Sequence, residues 1–153
     1  MKKSILLLGL LSSVAFAQQP TDYSSKVDSL MQLMTIEDKI GQTVQFSGGW
    51  DVTGPTVSDV NEDLVKSGQI GSFLNLVTAK ATKDIQKLAV EESRLGIPLL
   101  IGYDVIHGYK TIFPINLGLS ASWNPELVEL TAQKAAEEAA AEGIHWTFSP
   151  MVD

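Results

Sequence analysis

The sequence predicts an α/β fold built on a parallel sheet, because three short apolar runs alternate with two long helical segments. The apolar runs are residues 70–76, 99–105 and 144–148, and the helical segments between them are residues 78–95 and 125–142. Buried strands that alternate with helices form parallel sheets joined by right-handed crossovers. An open doubly wound sheet and a (β/α)8 barrel are both compatible with three such strands.

The first 17 residues are predicted to be a signal peptide that is removed from the mature protein. Lys2 and Lys3 precede an apolar stretch at residues 5–11, and Ala15-Phe16-Ala17 fits the small-x-small pattern of a signal peptidase site. The apolar stretch is too short to span a bilayer as a permanent helix. We therefore expect a mature chain that begins at Gln18 and is periplasmic or secreted, with a buried N-terminal helix as the alternative.

Composition and charge narrow the classes of partner. The chain has no cysteine, so its stability must come from a hydrophobic core, which a hydrophobic content of 44% can supply. Without Lys2 and Lys3, nine basic residues remain against 18 acidic ones, a net charge of −9. Such a charge disfavours anionic partners. We expect no nucleic-acid partner and, after signal cleavage, no membrane partner; the composition predicts no oligomeric state.

Three helices and a loop are predicted before the first apolar run. Apolar residues at helical spacing predict a helix at residues 26–34. A second short helix is predicted to begin after Thr35 and to end near Gly41, because Thr35-Ile36-Glu37-Asp38 has the form of a capping box. Turn residues predict a loop at residues 47–58, and a further helix is expected at residues 57–67.

The helix at residues 78–95 is predicted from its single apolar face, and Gly96 is expected to cap its C-terminus. The residues of that face are Ala81, Ile85, Leu88, Ala89 and Leu95. Pro98 then precedes the apolar strand at residues 99–105, so the helix and the strand are joined by a short connection.

The helix at residues 125–142 has clear boundary signals. Asn124 is a good N-cap, Pro125 suits the first helical position, and Gly143 is expected to end the helix. Its predicted inner face is mostly small, which would allow close approach to a sheet. The residues of that face are Leu127, Val128, Thr131, Ala135 and Ala139.

The candidate functional residues lie at or just after the carboxyl ends of the predicted strands, because these ends face the binding site in parallel α/β folds. These residues are Asn75, Asp104 with His107, and Ser149 with Asp153. Asp104 is the best candidate on this geometry. The alternative is that Asp104 bonds the following turn and pairs with His107. His107 itself is expected to support the loop rather than to act in acid/base chemistry.

The sequence contains no complete catalytic, metal-binding or phosphate-binding motif. Glu91-Glu92 and Glu137-Glu138 lie on predicted helices, where consecutive side chains point in different directions, so both pairs are expected to be solvated. His145 lies in a predicted strand and is expected to be structural. Ser47-Gly48-Gly49 lacks the spacing and the Lys-Ser/Thr partner of a phosphate loop. We therefore predict no cofactor and no metal site.

Four motifs along the chain carry a family resemblance. They begin at Met34 (MTIEDKIGQ), Ile97 (IPLLIGYDVIHG), Ile112 (IFPINLGLSASWNP) and Gly143 (GIHWTFSPMVD). In this order they resemble the amino-terminal barrel domain of glycoside hydrolase family 3, with the greatest likeness to bacterial periplasmic β-glucosidases. The resemblance implies that residues 18–153 form the opening portion of a (β/α)8 barrel, with about three strands, because a complete barrel needs about 250 residues.

The same resemblance implies an activity and a role for Asp104. Such enzymes are retaining hydrolases that remove terminal β-D-glucosyl residues from oligosaccharides or glucosides. The family's Gly-x-Asp-x-x-His-Gly motif implies that Asp104 binds glucose hydroxyls at the base of the first sugar subsite, with Tyr103 and His107 in the supporting loop. The family's nucleophile and acid/base would lie beyond Asp153, so no catalytic residue is expected in this chain, which alone is expected to be inactive.

Two other functions stay open at this point. One is a non-catalytic periplasmic α/β module that binds sugar, and the other is a related exo-glycosidase, either a β-xylosidase or an N-acetylglucosaminidase. The motif with Tyr103 directly before Asp104 resembles that of the family's glucosidases more than that of its other exo-glycosidases. The expected ligand is a β-glucoside or an oligosaccharide.

Overall fold

The structure is a computed structural model that describes residues 22–48 and 62–151. In these ranges four short strands form a parallel sheet, which helices precede, connect and cover. The elements in chain order are α1 (Ser24–Leu33), α2 (Ile36–Gly41), β1 (Gln45–Ser47), α3 (Glu62–Lys66), β2 (Ser72–Leu74), α4 (Ala79–Glu91), β3 (Leu100–Tyr103), α5 (Asn116–Ser120), α6 (Pro125–Ala141) and β4 (Trp146–Thr147). None of these helices combines the length and hydropathy that a bilayer-spanning segment requires.

Two predicted segments fall wholly or mostly outside the described ranges. The signal peptide at residues 1–17 lies outside them and stays a prediction, as does most of the loop at residues 47–58. The helix predicted at residues 57–67 is confirmed by α3 for the part that the structure describes.

The described residues from Asp22 to Gln32 belong to a unit of their own. α1 begins after Asp22, whose Oδ1 accepts hydrogen bonds from the backbone N–H of Ser24 at 2.9 Å and from its hydroxyl at 2.6 Å. No residue of α1 is buried. α1 confirms the helix predicted at residues 26–34, although it begins two residues earlier and ends one residue earlier than predicted.

The predicted parallel sheet is confirmed, with its strands in the order β1-β2-β3-β4. Phe46, Phe73 and Ile101 are aligned across the first three strands. The sequence does not predict β1, because three residues followed directly by turn residues carry no strand pattern. β1 exists through its pairing with β2, and the N–H of Gly48 extends that ladder by donating to the Leu74 carbonyl at 2.7 Å.

The three predicted strands are shorter than the apolar runs that predict them. β2 ends because Asn75 has a φ of +61°, in the left-handed region. β3 ends at Tyr103, whose carbonyl accepts a hydrogen bond from the N–H of Val105 at 3.0 Å. β4 keeps only two residues, and in the described part of the chain it pairs with β3 alone.

The core lies between one face of the sheet and the helices α3, α4 and α6. Ile101 is completely buried, and Phe73 beside it is 1% exposed. α3 contributes the buried residue Val65. On the two long helices the buried residues are Thr82, Ile85 and Ala89 on α4 and Thr131, Ala135 and Ala139 on α6. They recur every three or four residues, so each helix buries one face. The small residues predicted for the face of α6 are buried, whereas Leu127 and Val128 are exposed.

α4 ends earlier than predicted. Its last residue is Glu91 and its C-cap is Glu92, so the prediction that the helix runs to residue 95 and is capped by Gly96 is wrong. The hydroxyl of Ser93 donates to the Ala89 carbonyl at 2.5 Å and accepts from the N–H of Gly96 at 3.2 Å. Such local side-chain bonds compete with helical ones and end the helix here.

The predicted boundaries of α6 are confirmed. The side chain of Asn124 accepts a hydrogen bond from the N–H of Leu127 at 3.0 Å, and Pro125 occupies the first turn. Gly143 follows the helix with a φ of +82°, and a Cβ there would lie 2.7 Å from the hydroxyl oxygen of Thr82. Only glycine therefore fits this position, where α6 passes close to α4.

The predicted capping box of α2 is confirmed. Asp38 Oδ2 accepts a hydrogen bond from the N–H of Thr35 at 2.7 Å, and Thr35 Oγ1 accepts one from the N–H of Asp38 at 3.2 Å. The same carboxylate pairs with Arg94. These contacts lower the pKa of Asp38, with the backbone bond from Thr35 as the largest cause. Asp38 therefore joins the start of α2 to the segment that follows α4.

Ile101→Ala should destabilise the protein strongly, because it removes a side chain with no exposed surface. Large-to-small core substitutions cost about 2–5 kcal/mol, and this one should fall in the upper half of that range. Urea unfolding measures the change in unfolding free energy. Val90→Ala, on the exposed side of α4, is the control and should change it by less than about 0.5 kcal/mol. Equal losses for the two variants would contradict this core.

Asp38→Asn should lower the melting temperature by a few degrees at neutral pH, since an amide replaces the ionised acceptor. The folded-state pKa of Asp38 lies below its ordinary value of 3.8. Its stabilisation is thus present above that value and is lost as the pH falls through the lowered pKa. Thermal melts should therefore show a constant difference from about pH 7 to 5 that shrinks below about pH 4. The exposed neighbour Glu37, changed to Gln, should show little difference throughout. An undiminished Asp38→Asn difference in acid would contradict this role.

Candidate functional site

The carboxyl ends of the four strands lie side by side at one edge of the sheet. Equivalent positions across the strands are occupied by Ser47, Leu74, Gly102 and Trp146. The N–H of Asn75 donates to the Gly102 carbonyl at 3.1 Å, one step beyond the end of β2. The structure therefore brings the predicted strand-end residues Asn75, Asp104 and Ser149 to one edge, whereas Asp153 lies outside the described residues.

Asp104 directly follows the last residue of β3, and it is exposed. Its carboxylate has no hydrogen bond or ion pair with any other residue in the ranges 22–48 and 62–151. The alternative arrangement, in which Asp104 bonds the following turn and pairs with His107, is therefore not formed between these residues. The lone pairs of the Asp104 carboxylate are left open to a ligand that carries hydrogen-bond donors.

The segment at residues 104–113, which we call the β3 loop, folds back on itself. The N–H of Phe113 donates to the His107 carbonyl at 2.8 Å, and Gly108 and Ile112 form an antiparallel bridge. Gly108 has a φ of +110°, and a Cβ there would lie 2.0 Å from a backbone carbonyl oxygen. The turn that shapes the loop thus requires glycine.

The two residues predicted to support the loop are Tyr103, the last residue of β3, and His107 within the loop. The ring of Tyr103 packs edge to face against the ring of Tyr109, with centroids 5.6 Å apart. Burial and then the charge of Glu142 raise the pKa of Tyr109. The Nδ1 atom of His107 is buried and has no hydrogen-bond partner in the described part of the chain. The supporting roles of Tyr103 and His107 stay predictions.

The carboxylate of Glu138 on α6 binds the β3 loop through three hydrogen bonds. Its Oε2 accepts from the N–H groups of Lys110 at 2.9 Å and Thr111 at 2.8 Å, and its Oε1 accepts from the Thr111 hydroxyl at 2.6 Å. The bond from that hydroxyl is the largest cause of a lowered pKa of Glu138. The prediction that Glu137-Glu138 is solvated is therefore wrong for Glu138, whereas Glu137 is exposed and bonds within its own helix.

Glu142, one helical turn further on, adds a second connection. Its carboxylate pairs with the ammonium group of Lys110 and accepts a hydrogen bond from the N–H of Ala79 at 2.5 Å. The bond from Lys110 is the main cause of a lowered pKa of Glu142. Glu138 lies directly before the buried residue Ala139, and Glu142 lies three residues after it. This spacing puts both carboxylates beside the buried face of α6, and it is the sequence signal that could have shown their contact with a neighbouring segment.

A cavity of about 520 Å3 lies between α6 and the segments that follow β3 and surround β4. His107 and His145 line it, but Asp104 is not among its described lining residues, so the cavity and the strand-edge carboxylate are separate features. His145 precedes β4 rather than lying within a strand, and its N–H donates to the Ile101 carbonyl at 2.9 Å. The described residues contain no cluster of three or more metal-ligating side chains.

Four parallel strands in consecutive order, with helices between them, define an α/β unit that fits the opening of a (β/α)8 barrel, in which ligands bind at the carboxyl ends of the strands. Residues 35–153 match the Glycosyl hydrolase family 3 N terminal domain. The chain belongs to this family, which confirms the resemblance seen in its sequence motifs and the fold class that the resemblance implies.

Named relatives agree with this assignment. The chain is 39% identical over 127 residues to the periplasmic beta-glucosidase of Salmonella typhimurium, an alignment that covers 83% of this chain and 16% of the relative. It is 32% identical over 151 residues to the lysosomal beta glucosidase of Dictyostelium discoideum, covering 82% and 18%. The crystal structure of beta-glucosidase from Listeria innocua in complex with isofagomine superposes with a TM-score of 0.73 at 42% identity, covering 85% and 18%. The chain thus spans less than a fifth of each relative's length.

Proposed function

We propose that the protein is a β-glucosidase-type glycoside hydrolase that removes terminal β-D-glucosyl residues with retention of configuration, and that this chain supplies part of its first sugar subsite. In that subsite Asp104 binds sugar hydroxyls, and Tyr103 and His107 support the loop around it. The observation that carries the proposal is the exposed Asp104 carboxylate at the carboxyl edge of a family 3 sheet, without a partner in the described ranges. The Salmonella and Listeria relatives, both named β-glucosidases, support this choice of activity.

The chemistry of a carboxylate suits this role. An ionised Asp104 can accept hydrogen bonds from two neighbouring sugar hydroxyls, and charge-assisted bonds of this kind are short and strong. Their geometry also selects the orientation of the hydroxyls, so the carboxylate distinguishes sugars by stereochemistry. Glycoside hydrolysis passes through an oxocarbenium-like transition state, in which hydrogen bonds to ring hydroxyls can strengthen. Asp104 should therefore contribute to catalysis as well as to affinity.

The bond-breaking groups are assigned outside this chain. A retaining mechanism uses a nucleophilic carboxylate and an acid/base carboxyl about 5–5.5 Å apart on either side of the glycosidic bond. Asp104 holds the sugar and performs neither of these tasks. Because this chain spans less than a fifth of the length of these relatives, the nucleophile and the acid/base are attributed to parts of the enzyme outside it.

We propose that the protein acts in the periplasm or outside the cell. The basic start at Lys2 and Lys3, the apolar stretch and the Ala15-Phe16-Ala17 site favour a signal peptide cleaved between Ala17 and Gln18. The name of the Salmonella relative, a periplasmic beta-glucosidase, supports the same location.

Asp104→Asn should lower kcat/KM for an aryl β-D-glucoside by about 100-fold or more in the full-length protein that contains this chain, because hydrogen bonds to a charged group contribute about 1.5–3 kcal/mol each. The melting temperature should stay within a few degrees of wild type, since Asp104 is exposed. Asp84→Asn, the same chemical change at an exposed position on α4, is the matched control and should leave kcat/KM unchanged.

Steady-state assays with aryl β-D-glucoside, β-D-xyloside and N-acetyl-β-D-glucosaminide distinguish the other functions. Preference for one of the latter two would replace the glucosidase by the related exo-glycosidase. Glucose binding without turnover of any substrate would identify a sugar-binding module. Near-normal kinetics of Asp104→Asn on the preferred substrate would contradict the role of Asp104.

A further inference from the structure

We infer that Glu138 is the positioning residue of the sugar subsite, because its carboxylate on α6 holds the β3 loop in the shape that presents Asp104. The inference rests on the proposed function for the identity of the ligand. The contact itself, between one side chain of α6 and the Lys110-Thr111 segment, is a feature of the described structure. Glu138 does not touch the sugar in this account, and it acts only through the loop.

The contact uses the two oxygens of Glu138 differently. Oε2 accepts hydrogen bonds from two consecutive backbone N–H groups, those of Lys110 and Thr111. Oε1 accepts a hydrogen bond from the Thr111 hydroxyl. A carboxylate can accept at about four lone-pair positions and has no hydrogen to donate, so it fits three converging donors without repulsion. An amide in its place would offer only one acceptor oxygen and would turn an NH2 group toward at least one of these donors.

In the described chain the loop is held by apolar packing as well as by polar bonds. Val105 is 5% exposed in the core, and Tyr109 and Phe113 pack against that core. The loop leaves the sheet at Tyr103, and its internal bonds join His107 to Phe113 and Gly108 to Ile112. These bonds shape the loop but do not attach it to another element. The bonds to Glu138, together with the ion pair between Lys110 and Glu142, attach it to α6. The Lys110-Thr111 segment is therefore held by polar contacts with α6, in addition to the apolar packing of its neighbours in the loop.

α6 is a firm support for this contact. Ala135 and Ala139 on either side of Glu138 are each 6% exposed and pack in the core, so the backbone that carries Glu138 is fixed against the sheet. Glu137, one residue earlier, is exposed and bonds to side chains of its own helix. Glu137 and Glu138 are thus chemically identical, but only Glu138 bonds to the β3 loop.

A loosened loop should weaken sugar binding without slowing the chemical step. If the loop adopts the binding-competent shape for only a fraction of the time, the apparent dissociation constant rises by the inverse of that fraction. Once the sugar is bound, the same residues surround it and kcat is retained. A positioning role therefore predicts an effect on KM, which a general loss of stability would not produce.

The test compares Glu138→Gln with Glu137→Gln in the full-length protein. Glu138→Gln should raise KM for an aryl β-D-glucoside by about tenfold while kcat stays within about twofold, as expected if the competent loop is populated about a tenth of the time. Hydrogen exchange of the amides at residues 107–113 should speed up in Glu138→Gln while the amides of β2 and β3 remain protected. Glu137→Gln should match wild type in KM, kcat and exchange.

A second pair of variants tests the contact from the loop side and leaves α6 unchanged. Thr111→Val removes the hydroxyl donor at nearly constant shape and should raise KM by about threefold, since one of three bonds is lost. Thr111→Ser keeps the donor and should restore the wild-type KM. This pair decides the question if Glu138→Gln fails to fold.

Three results would overturn the inference. In the first, Glu138→Gln retains the wild-type KM and loop exchange. In the second, exchange rises throughout the sheet and kcat falls with it, so Glu138 only stabilises the fold. In the third, Thr111→Val and Thr111→Ser behave alike. A wild-type protein that neither binds nor cleaves glucosides would instead overturn the proposed function, and loop exchange in Glu138→Gln would still decide whether Glu138 orders the loop.

Discussion

The burial of Ile101 between the sheet and its covering helices is the constraint on which the other features depend. This side chain has no exposed surface, and it lies in register with Phe73 on the neighbouring strand. Because the strands are parallel and aligned at this level, their carboxyl ends reach one common edge. A shift of one residue in β3 would turn Ile101 out of the core and move Asp104 away from that edge.

α6 connects this core to the candidate site. Its small buried residues bring its backbone close to the sheet, and Gly143 allows the chain to pass Thr82 where a side chain would collide. The flank of the same helix carries Glu138 and Glu142, which bind the β3 loop and the start of α4. One helix therefore packs the core with one face and orders the loop with the next. Asp104 itself is kept free of protein partners in the described chain, as a ligand-binding carboxylate requires.

Local sequence signals predicted the features that depend on local physics. The boundaries of α6 follow from Asn124 and Gly143, and the place of Asp104 follows from an apolar run and the rule for parallel strands. β1 was missed because its three residues become a strand only by pairing with β2. The end of α4 was misplaced because the hydroxyl of Ser93 competes with a helical pattern that continues in sequence. The role of Glu138 was missed because its partners lie 27 and 28 residues away, on a loop whose position the sequence alone does not specify.

The central claim, that Asp104 is the carboxylate that holds the sugar, is tested most directly by a crystal structure of the full-length protein with bound glucose. Both carboxylate oxygens of Asp104 should lie about 2.5–2.9 Å from two neighbouring sugar hydroxyls, the range of charge-assisted hydrogen bonds. Glu138 should keep its bonds to the β3 loop in that complex. A glucose bound elsewhere, or one that makes no direct contact with Asp104, would contradict the account.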